Sequence, residues 1–258
     1  MIKAMLARLE QGHRTMKYPK APPPALPSRF RGLPLLDASK CVLDDGSACE
    51  ACAEACPTGA ITAAGKLSLD LGRCLFCAEC VEACPEGAIA FGKDHRLAVR
   101  KRGDLLLSGG KTELELAAAL EGRMKRLLGR SLKLRVVSAG GCGGCEADVN
   151  VLNTVGWDLG RFGIQFVASP RHADGILITG PVTINMELAL RKTWDAIPGP
   201  KIAVAVGACA ISGGPYVDHA EVDNGAGDRV PIDLYIPGCP PHPLTILDGL
   251  LRLVGRIK

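Results

Sequence analysis

The sequence predicts an α/β protein joined to a smaller α+β unit. Strand and helix patterns alternate through residues 132–258, and a short, internally duplicated, cysteine-dense stretch precedes them. Twelve cysteines in 258 residues fall into three sets of four. Composition divides the chain into an extended basic arm (1–38), a cysteine-rich unit (39–92), a basic linker (93–131) and a parallel-sheet domain (132–258).

The net charge of +4 hides an asymmetry: residues 1–40 carry eight Lys and Arg against two acids, whereas residues 41–90 carry two against eight. Within the arm, Met1 to Leu9 has the spacing of a short amphipathic helix. From Tyr18-Pro19 to Pro27, five prolines impose an extended course that buries little surface unless it lies against something else.

The cysteine-rich unit contains Cys74-x2-Cys77-x2-Cys80-x3-Cys84-Pro85, preceded by Cys41-x7-Cys49-x2-Cys52-x3-Cys56-Pro57. Three cysteines in a C-x2-C-x2-C loop reach one cubane cluster, and the cysteine before the proline crosses to the other cluster of a pair. The spacing therefore predicts that Cys74, Cys77, Cys80 and Cys56 hold one 4Fe-4S cluster and Cys41, Cys49, Cys52 and Cys84 a second. The repeat of Cys-Pro-x-Gly-Ala-Ile at Cys56–Ile61 and Cys84–Ile89 marks a duplicated unit. Independent disulfides do not fit such cramped runs, and a tetrahedral zinc site has no use for the third cysteine or the proline. Seven residues, not two, separate Cys41 from Cys49. Either a turn at Asp44-Asp45-Gly46-Ser47 bulges out and returns Cys41 to the cluster, or that cluster has three protein ligands.

In the linker, Leu97-Ala98-Val99 and Leu105 to Leu107 read as short strands. Thr112 to Leu128, with Leu116, Leu120, Met124, Leu127 and Leu128 at helical spacing and Thr112 and Glu115 as a capping box, reads as a docking helix. Ser108-Gly109-Gly110-Lys111-Thr112 lacks the first glycine of a P-loop, since Leu105 stands there, so ATP binding is not expected. Arg123, Lys125, Arg126 and Arg130 have no interleaved aromatics, which argues against nucleic acid.

From Leu132 the expected order is strand Leu134–Ser138, helix Glu146–Val155, strands Gly163–Val167 and Gly175–Ile178, helix Met186–Trp194, strands Lys201–Val206 and Ile232–Ile236, and helix Pro243–Val254. Ligands of such sheets gather outside the carboxyl ends of the strands. Cys142, Cys145, Cys209 and Cys239 all follow strands and are expected to form a third cluster cage. The side-chain-poor loop Gly140-Gly141-Cys142-Gly143-Gly144 would let backbone N–H groups approach its sulfides. Glu146 and Asp148 suit the helix N-terminus after Cys145, and Glu146 and Arg171 are candidate residues beside the cage, Arg171 as a hydrogen-bond donor to it.

Residues 39–92 resemble a bacterial two-cluster ferredoxin. The arm, with Lys17-Tyr18-Pro19 and Pro27-Ser28-Arg29-Phe30-Arg31-Gly32, resembles the lead into the ferredoxin-like subunit of respiratory complex I and its hydrogenase relatives. That likeness implies an arm threading along neighbouring subunits near the membrane domain; composition alone equally suits a basic tail touching anionic lipid. Residues 131 to 256 resemble the small subunit of energy-converting, membrane-bound NiFe hydrogenases, through Gly141-Cys142-x2-Cys145-Glu146, Ser169-Pro170-Arg171-His172-Ala173-Asp174, Thr179-Gly180-Pro181-Val182, Val206-Gly207-x-Cys209-Ala210 and Pro237-Gly238-Cys239-Pro240-Pro241. The resemblance implies a dicluster ferredoxin fold joined to a flavodoxin-like parallel-sheet domain.

It further implies an electron-transfer subunit with three 4Fe-4S clusters, not catalytic alone. Its expected partners are a NiFe hydrogenase-type large subunit, membrane ion-translocating subunits, and an electron-donor subunit or soluble carrier. The homologous complex I subunit has adjacent cysteines where this chain has Cys142-x2-Cys145, the hydrogenase form. A quinone-reducing complex and a nickel-free ion-pumping relative are the alternatives, and a stand-alone ferredoxin would leave the Pro237–Pro241 edge exposed. With neither a hydrophobic leader nor a transmembrane segment in the sequence, the expected location is cytoplasmic, peripheral on the inner face of the cell membrane.

Overall fold

The computed structural model describes residues 2–12, 14–41, 49–63, 65–108 and 114–257. The Asp44-Asp45-Gly46-Ser47 turn and the Gly109-Gly110-Lys111-Thr112 stretch, with the Thr112 cap, lie outside these residues. Helix α1 (Ile2–Gln11) forms where the amphipathic pattern places it, and Ile2, Met5, Leu6 and Leu9 on it are all exposed.

The arm does not trail away from the protein. The guanidinium of Arg161 donates to the carbonyls of Met16 (2.6 Å) and Tyr18 (2.8 Å), and the buried Tyr18 hydroxyl donates to Asp248 Oδ1 at 2.6 Å. Further on, β1 (Pro34–Leu36) follows, and then α2 (Ala51–Glu54), β2 (Ile61–Thr62), β3 (Ser68–Asp70), α3 (Glu79–Ala83) and β4 (Ile89–Phe91). β1 pairs antiparallel with β4, and β2 and β3 pair with each other. Strand β5 (Leu106–Ser108) joins β3 as a third strand, Leu107 opposite Leu69. Pairing therefore carries the cysteine-rich unit's two sheets beyond residues 39–92 at both ends.

The segment Leu97–Val99 contributes one antiparallel bridge, Val99 to Tyr235, at the edge of the large sheet. The expected helix Thr112–Leu128 is corrected: only α4 (Gly122–Leu128) is helical, and residues 114–121 form no regular element. Leu114, Ala117 and Leu120 are buried, the Ala117 N–H donates to Ala98 O (2.8 Å), and the Leu120 N–H donates to Leu253 O (2.9 Å). A strap that buries every third residue shares the i, i+3 spacing of a helix. Main-chain bonds to distant segments then settle the conformation.

Beyond it come β6 (Leu132–Ser138), α5 (Gly144–Val151), β7 (Ile164–Phe166), β8 (Gly175–Thr179), α6 (Ile184–Ala196), β9 (Ile202–Val206), α7 (Ala208–Ser212), β10 (Leu234–Ile236) and α8 (Pro243–Leu253). The five strands form one parallel sheet in the order β10-β9-β8-β6-β7. This is the flavodoxin-like architecture expected.

Strands β8 and β9 are buried throughout, and alternation sorts their side chains onto two faces. Leu177, Val204 and Val206 share a core with Val149 of α5 and the apolar residues of α8. Ile176, Ile178, Ala203 and Ala205 share a second core with Leu190 of α6 and with Leu69, Leu71, Leu105 and Leu107 of the cysteine-rich unit. The small unit is thus packed into the core on one face of the large sheet.

Candidate functional site

The first quartet forms around α2 and α3. Cys41, Cys49, Cys52 and Cys84 line one cavity together with Ala51, Leu67, Ala88 and Ile89. Cys41 therefore shares a site with the other three despite its unusual spacing. Cys56, Cys74, Cys77 and Cys80 line a second cavity with Ile61, Leu69 and Phe91. In both, the cysteine before the proline lines the cavity of the other run. Backbone N–H groups of Ala60, Phe76 and Ala88 donate to the sulfurs of Cys56 (3.2 Å), Cys74 (3.3 Å) and Cys84 (3.3 Å).

The third quartet sits at the carboxyl end of the large sheet. Cys142 lies in the loop after β6, Cys145 in the first turn of α5, Cys209 in α7 after β9, and Cys239 after β10. The sulfurs of Cys145, Cys209, Cys142 and Cys239 act on one another electrostatically. Gly207, between β9 and α7, has φ +90°, and a Cβ there would come within 2.5 Å of Cys145 Sγ. The cage is shaped around that sulfur.

Electrostatics explain what these cages favour. Burial pushes the Cys74 thiol up to about 12, with neighbouring thiolates of Cys80, Cys56 and Cys77 adding to it and the Phe76 N–H opposing. Burial and the same kind of crowding push Cys80 and Cys209 up to about 11 and raise Cys52, Cys145 and Cys239. Desolvated, mutually repelling thiols such as these deprotonate where a multivalent cationic core compensates their charge. Among the described residues no three His, Cys, Asp or Glu side chains converge tightly enough for a single metal ion. The first two quartets, sulfur-only around wider cavities and with N–H donors on three of the sulfurs, fit an iron-sulfur cluster, and the third offers the same all-sulfur donor set.

Glu146 is held differently from the expected cap. Its Oε1 accepts from Ser138 Oγ (2.5 Å) and Thr179 Oγ1 (2.7 Å), residues paired across β6 and β8. Burial would raise its carboxyl, but these hydroxyl bonds hold it below the ordinary value. Glu146 ties the two strand ends to the helix that carries Cys145. Asp148, raised by burial, lines a cavity beside Pro240 and His242.

Arg171 is corrected: it is exposed, and its neighbour Asp174 pairs with Lys133, whose carbonyl accepts the Asp174 N–H at 2.7 Å. That puts it at the amino end of β6, on the order of 16–20 Å along the strand from the Cys142 loop, too far to touch the cage.

Sequence reasoning missed the contacts joining the sites. Ser212 Oγ, buried in α7, donates to Gly72 O at 2.8 Å. A Cβ on Gly72 would lie 2.7 Å from the Arg102 guanidinium carbon and 2.8 Å from Ile211 Cγ2. Cys74 follows Gly72 by two residues and Cys209 precedes Ser212 by three, so this contact joins the second quartet to the third. Phe76, beside Cys77, also lines one cavity with Pro237, Gly238 and Pro240, which flank Cys239.

A family model described as NADH ubiquinone oxidoreductase, 20 Kd subunit, matches residues 142–253, and one described as 4Fe-4S dicluster domain matches residues 40–88. Formate hydrogenlyase subunit 7 of Escherichia coli is 40% identical over 144 residues, 56% of this chain and 56% of that protein. A probable membrane-bound hydrogenase subunit, mbhJ, of Pyrococcus furiosus is 39% identical over 142 residues, covering 54% of this chain and 84% of the relative. An NADH-quinone oxidoreductase subunit of Clostridium beijerinckii is 42% identical over 114 residues, covering 44% of this chain and 68% of that protein. This chain spans little more than half the length of the E. coli relative and most of the other two. With its third sulfur quartet at the carboxyl edge of a parallel sheet, the chain belongs to the family of the 20 Kd subunit of NADH ubiquinone oxidoreductase and its membrane-bound hydrogenase relatives, here preceded by a 4Fe-4S dicluster domain.

Proposed function

We propose that this chain is the electron-transfer subunit of a membrane-associated, energy-converting NiFe hydrogenase complex, with three 4Fe-4S clusters held by the three cysteine quartets. When bound, such clusters supply one-electron carriers. The observation that carries the reading is their succession within one fold: two quartets in the dicluster unit, the second of them abutting the third through Gly72 and Ser212 and through the cavity that Phe76 shares with the residues flanking Cys239. The residues around them fix the sulfurs, and a common core removes the need for two separate carriers to dock.

The chain by itself takes no chemical substrate in this reading. It passes electrons between an external donor subunit or soluble carrier and the NiFe centre of a separate large subunit. Relatives named as subunits of formate hydrogenlyase and of a membrane-bound hydrogenase support this, as does the Cys142-x2-Cys145 pair. Among the described residues no helix is long and apolar enough to cross a membrane. Membrane association would come through ion-translocating partner subunits, on the cytoplasmic face. The exposed apolar residues of α1, flanked by Lys3, Arg8 and Arg14, suit such a boundary.

The second reading, input to a quinone-reducing complex, is favoured by the description of the matching family model. Anaerobic co-purification of the native complex followed by metal analysis separates the two. Nickel in an accompanying large subunit supports the hydrogenase; an intact complex with iron and no nickel supports the quinone-reducing or nickel-free reading.

A further inference from the structure

The arm meets the second quartet at one point. Arg31 Nη1 donates to the carbonyl oxygens of both Phe76 and Cys77, each at 2.7 Å. These two carbonyls flank Cys77, and the Phe76 side of the loop shares a cavity with Pro237, Gly238 and Pro240, the residues on either side of Cys239. The loop they belong to is strained: Phe76 has φ +56° and Ala78 φ +72°, so both neighbours of Cys77 are left-handed without being glycine. L-residues adopt that region only where surrounding structure compels them.

The arm is fixed on both sides of Arg31. Lys93 Nζ donates to the carbonyls of Pro27, Ser28 and Phe30, the last at 2.7 Å. The Gly32 N–H donates to Gly92 O at 2.8 Å and the Leu33 N–H to Asp94 O at 2.9 Å. Gly32 passes so close to Asp94 that a Cβ would fall 2.2 Å from its carbonyl oxygen. Next to Arg31, the Phe30 ring stands edge-on to His242, 5.4 Å between centroids, three residues after Cys239. The guanidinium therefore approaches the Cys77 loop from a rigid mount at the junction between two sulfur cages.

We propose that Arg31 is a positioning residue for the Cys77 ligand, clamping the Phe76 and Cys77 carbonyls and thereby raising the reduction potential of the cluster held by Cys56, Cys74, Cys77 and Cys80. This rests on the reading that the quartet carries a cluster. The carbonyls that Arg31 engages belong to the peptides whose N–H groups are those of Cys77 and Ala78. Drawing electron density toward the guanidinium strengthens those N–H dipoles. A nearby positive charge and strengthened donors both favour the more negative, reduced form of a cluster. The basic arm thus contributes to the relay between the dicluster unit and the terminal cage.

The test is an EPR-monitored redox titration of the full chain, purified anaerobically, as wild type, R31Q and R31K. In R31Q one of the three midpoint potentials shifts downward and the other two stay in place. In R31K, which keeps a positive donor, most of the shift is recovered. An R31Q protein with full iron and three unchanged midpoints overturns the proposal. Should R31Q lose iron from this site, R31K decides: full iron and a near-wild-type midpoint supports the clamp, and the same loss of iron overturns it. A wild-type protein lacking one of the three signals would instead count against the cluster reading itself, and the role of Arg31 would fall with it.

Discussion

Gly207 and Cys145 share one space: the position of a Cβ on Gly207 lies 2.5 Å from Cys145 Sγ, so the sulfur points inward only because residue 207 has no side chain. Gly207 also has φ +90° and ψ 155°, a region essentially confined to glycine that another residue enters at a cost of about 1–3 kcal/mol. G207A should expel Cys145 from the third cage while leaving the dicluster unit intact. Iron would fall from about twelve to about eight per chain if each cage holds four. Metal analysis alongside the retained EPR signals of the first two quartets checks this, and full iron in G207A would show that the cage tolerates the displacement.

Cys41 lines the first cavity beside Cys49, Cys52 and Cys84. C41S should therefore remove or destabilise that cluster, again lowering iron by about four atoms per chain. Unchanged iron and an unchanged EPR spectrum would mean that the cluster has three protein ligands.

The Ser212 to Gly72 hydrogen bond joins the second and third quartets across 140 residues of sequence. G72A has no room beside Arg102 and Ile211 and should push the two cages apart. Spin–spin coupling between the reduced clusters should weaken and electron transfer between them should slow, with iron content preserved. S212A should act more gently, leaving the Gly72 carbonyl unpaired at a cost of about 1–3 kcal/mol. Equal coupling in G72A and wild type would deny the contact a role in setting the separation.

Tyr18 anchors the arm, its hydroxyl on Asp248, whose other oxygen accepts from Arg252 Nε at 2.7 Å. Y18F removes one buried hydrogen bond, worth about 1–2 kcal/mol. Trypsin should then cleave faster at Lys17 and Lys20 than in the wild type. Identical cleavage rates would show that the Arg161 bonds alone hold this segment.

His95 is buried against Tyr18, ring centroids 5.8 Å apart, and burial lowers its imidazole below the ordinary 6.5. The unfolded chain takes up a proton as the pH falls through 6.5, whereas the folded imidazole resists until its lower pKa is reached. Stability contributed by this site is thus full above 6.5 and declines below it. His242 shifts the same way through burial, so H95N should reduce, not abolish, the loss of thermal stability between pH 7.5 and 5.5. A slope unchanged by H95N would remove His95 as a source of the acid sensitivity.

The cysteine chemistry and the parallel sheet are legible because both are written in local patterns. C-x2-C-x2-C spacing is a loop geometry, and uninterrupted apolar runs such as Gly175–Thr179 leave little but a buried strand. The strap at 114–121 reads as a helix because its three-residue burial period imitates one, and only its bonds to Ala98 and Leu253 distinguish the two. Arg171 carries no signal of depth along the sheet; its distance from the cage follows from strand register alone. Arg31, Ser212 and Tyr18 act on partners 45, 140 and 230 residues away, separations over which one sequence shows no pairing. The close pair Arg31-Gly32 is the one local hint, a cation beside a residue that permits close backbone approach.

Whether three sulfur quartets hold three clusters is decided by quantifying iron and acid-labile sulfide in the anaerobically purified chain, with stepwise reduction followed by EPR. About twelve of each per chain are expected, as three four-iron clusters require, together with three distinct paramagnetic centres. Zinc in place of iron, or iron and sulfide at about eight or fewer with one quartet silent, would contradict the three-cluster relay.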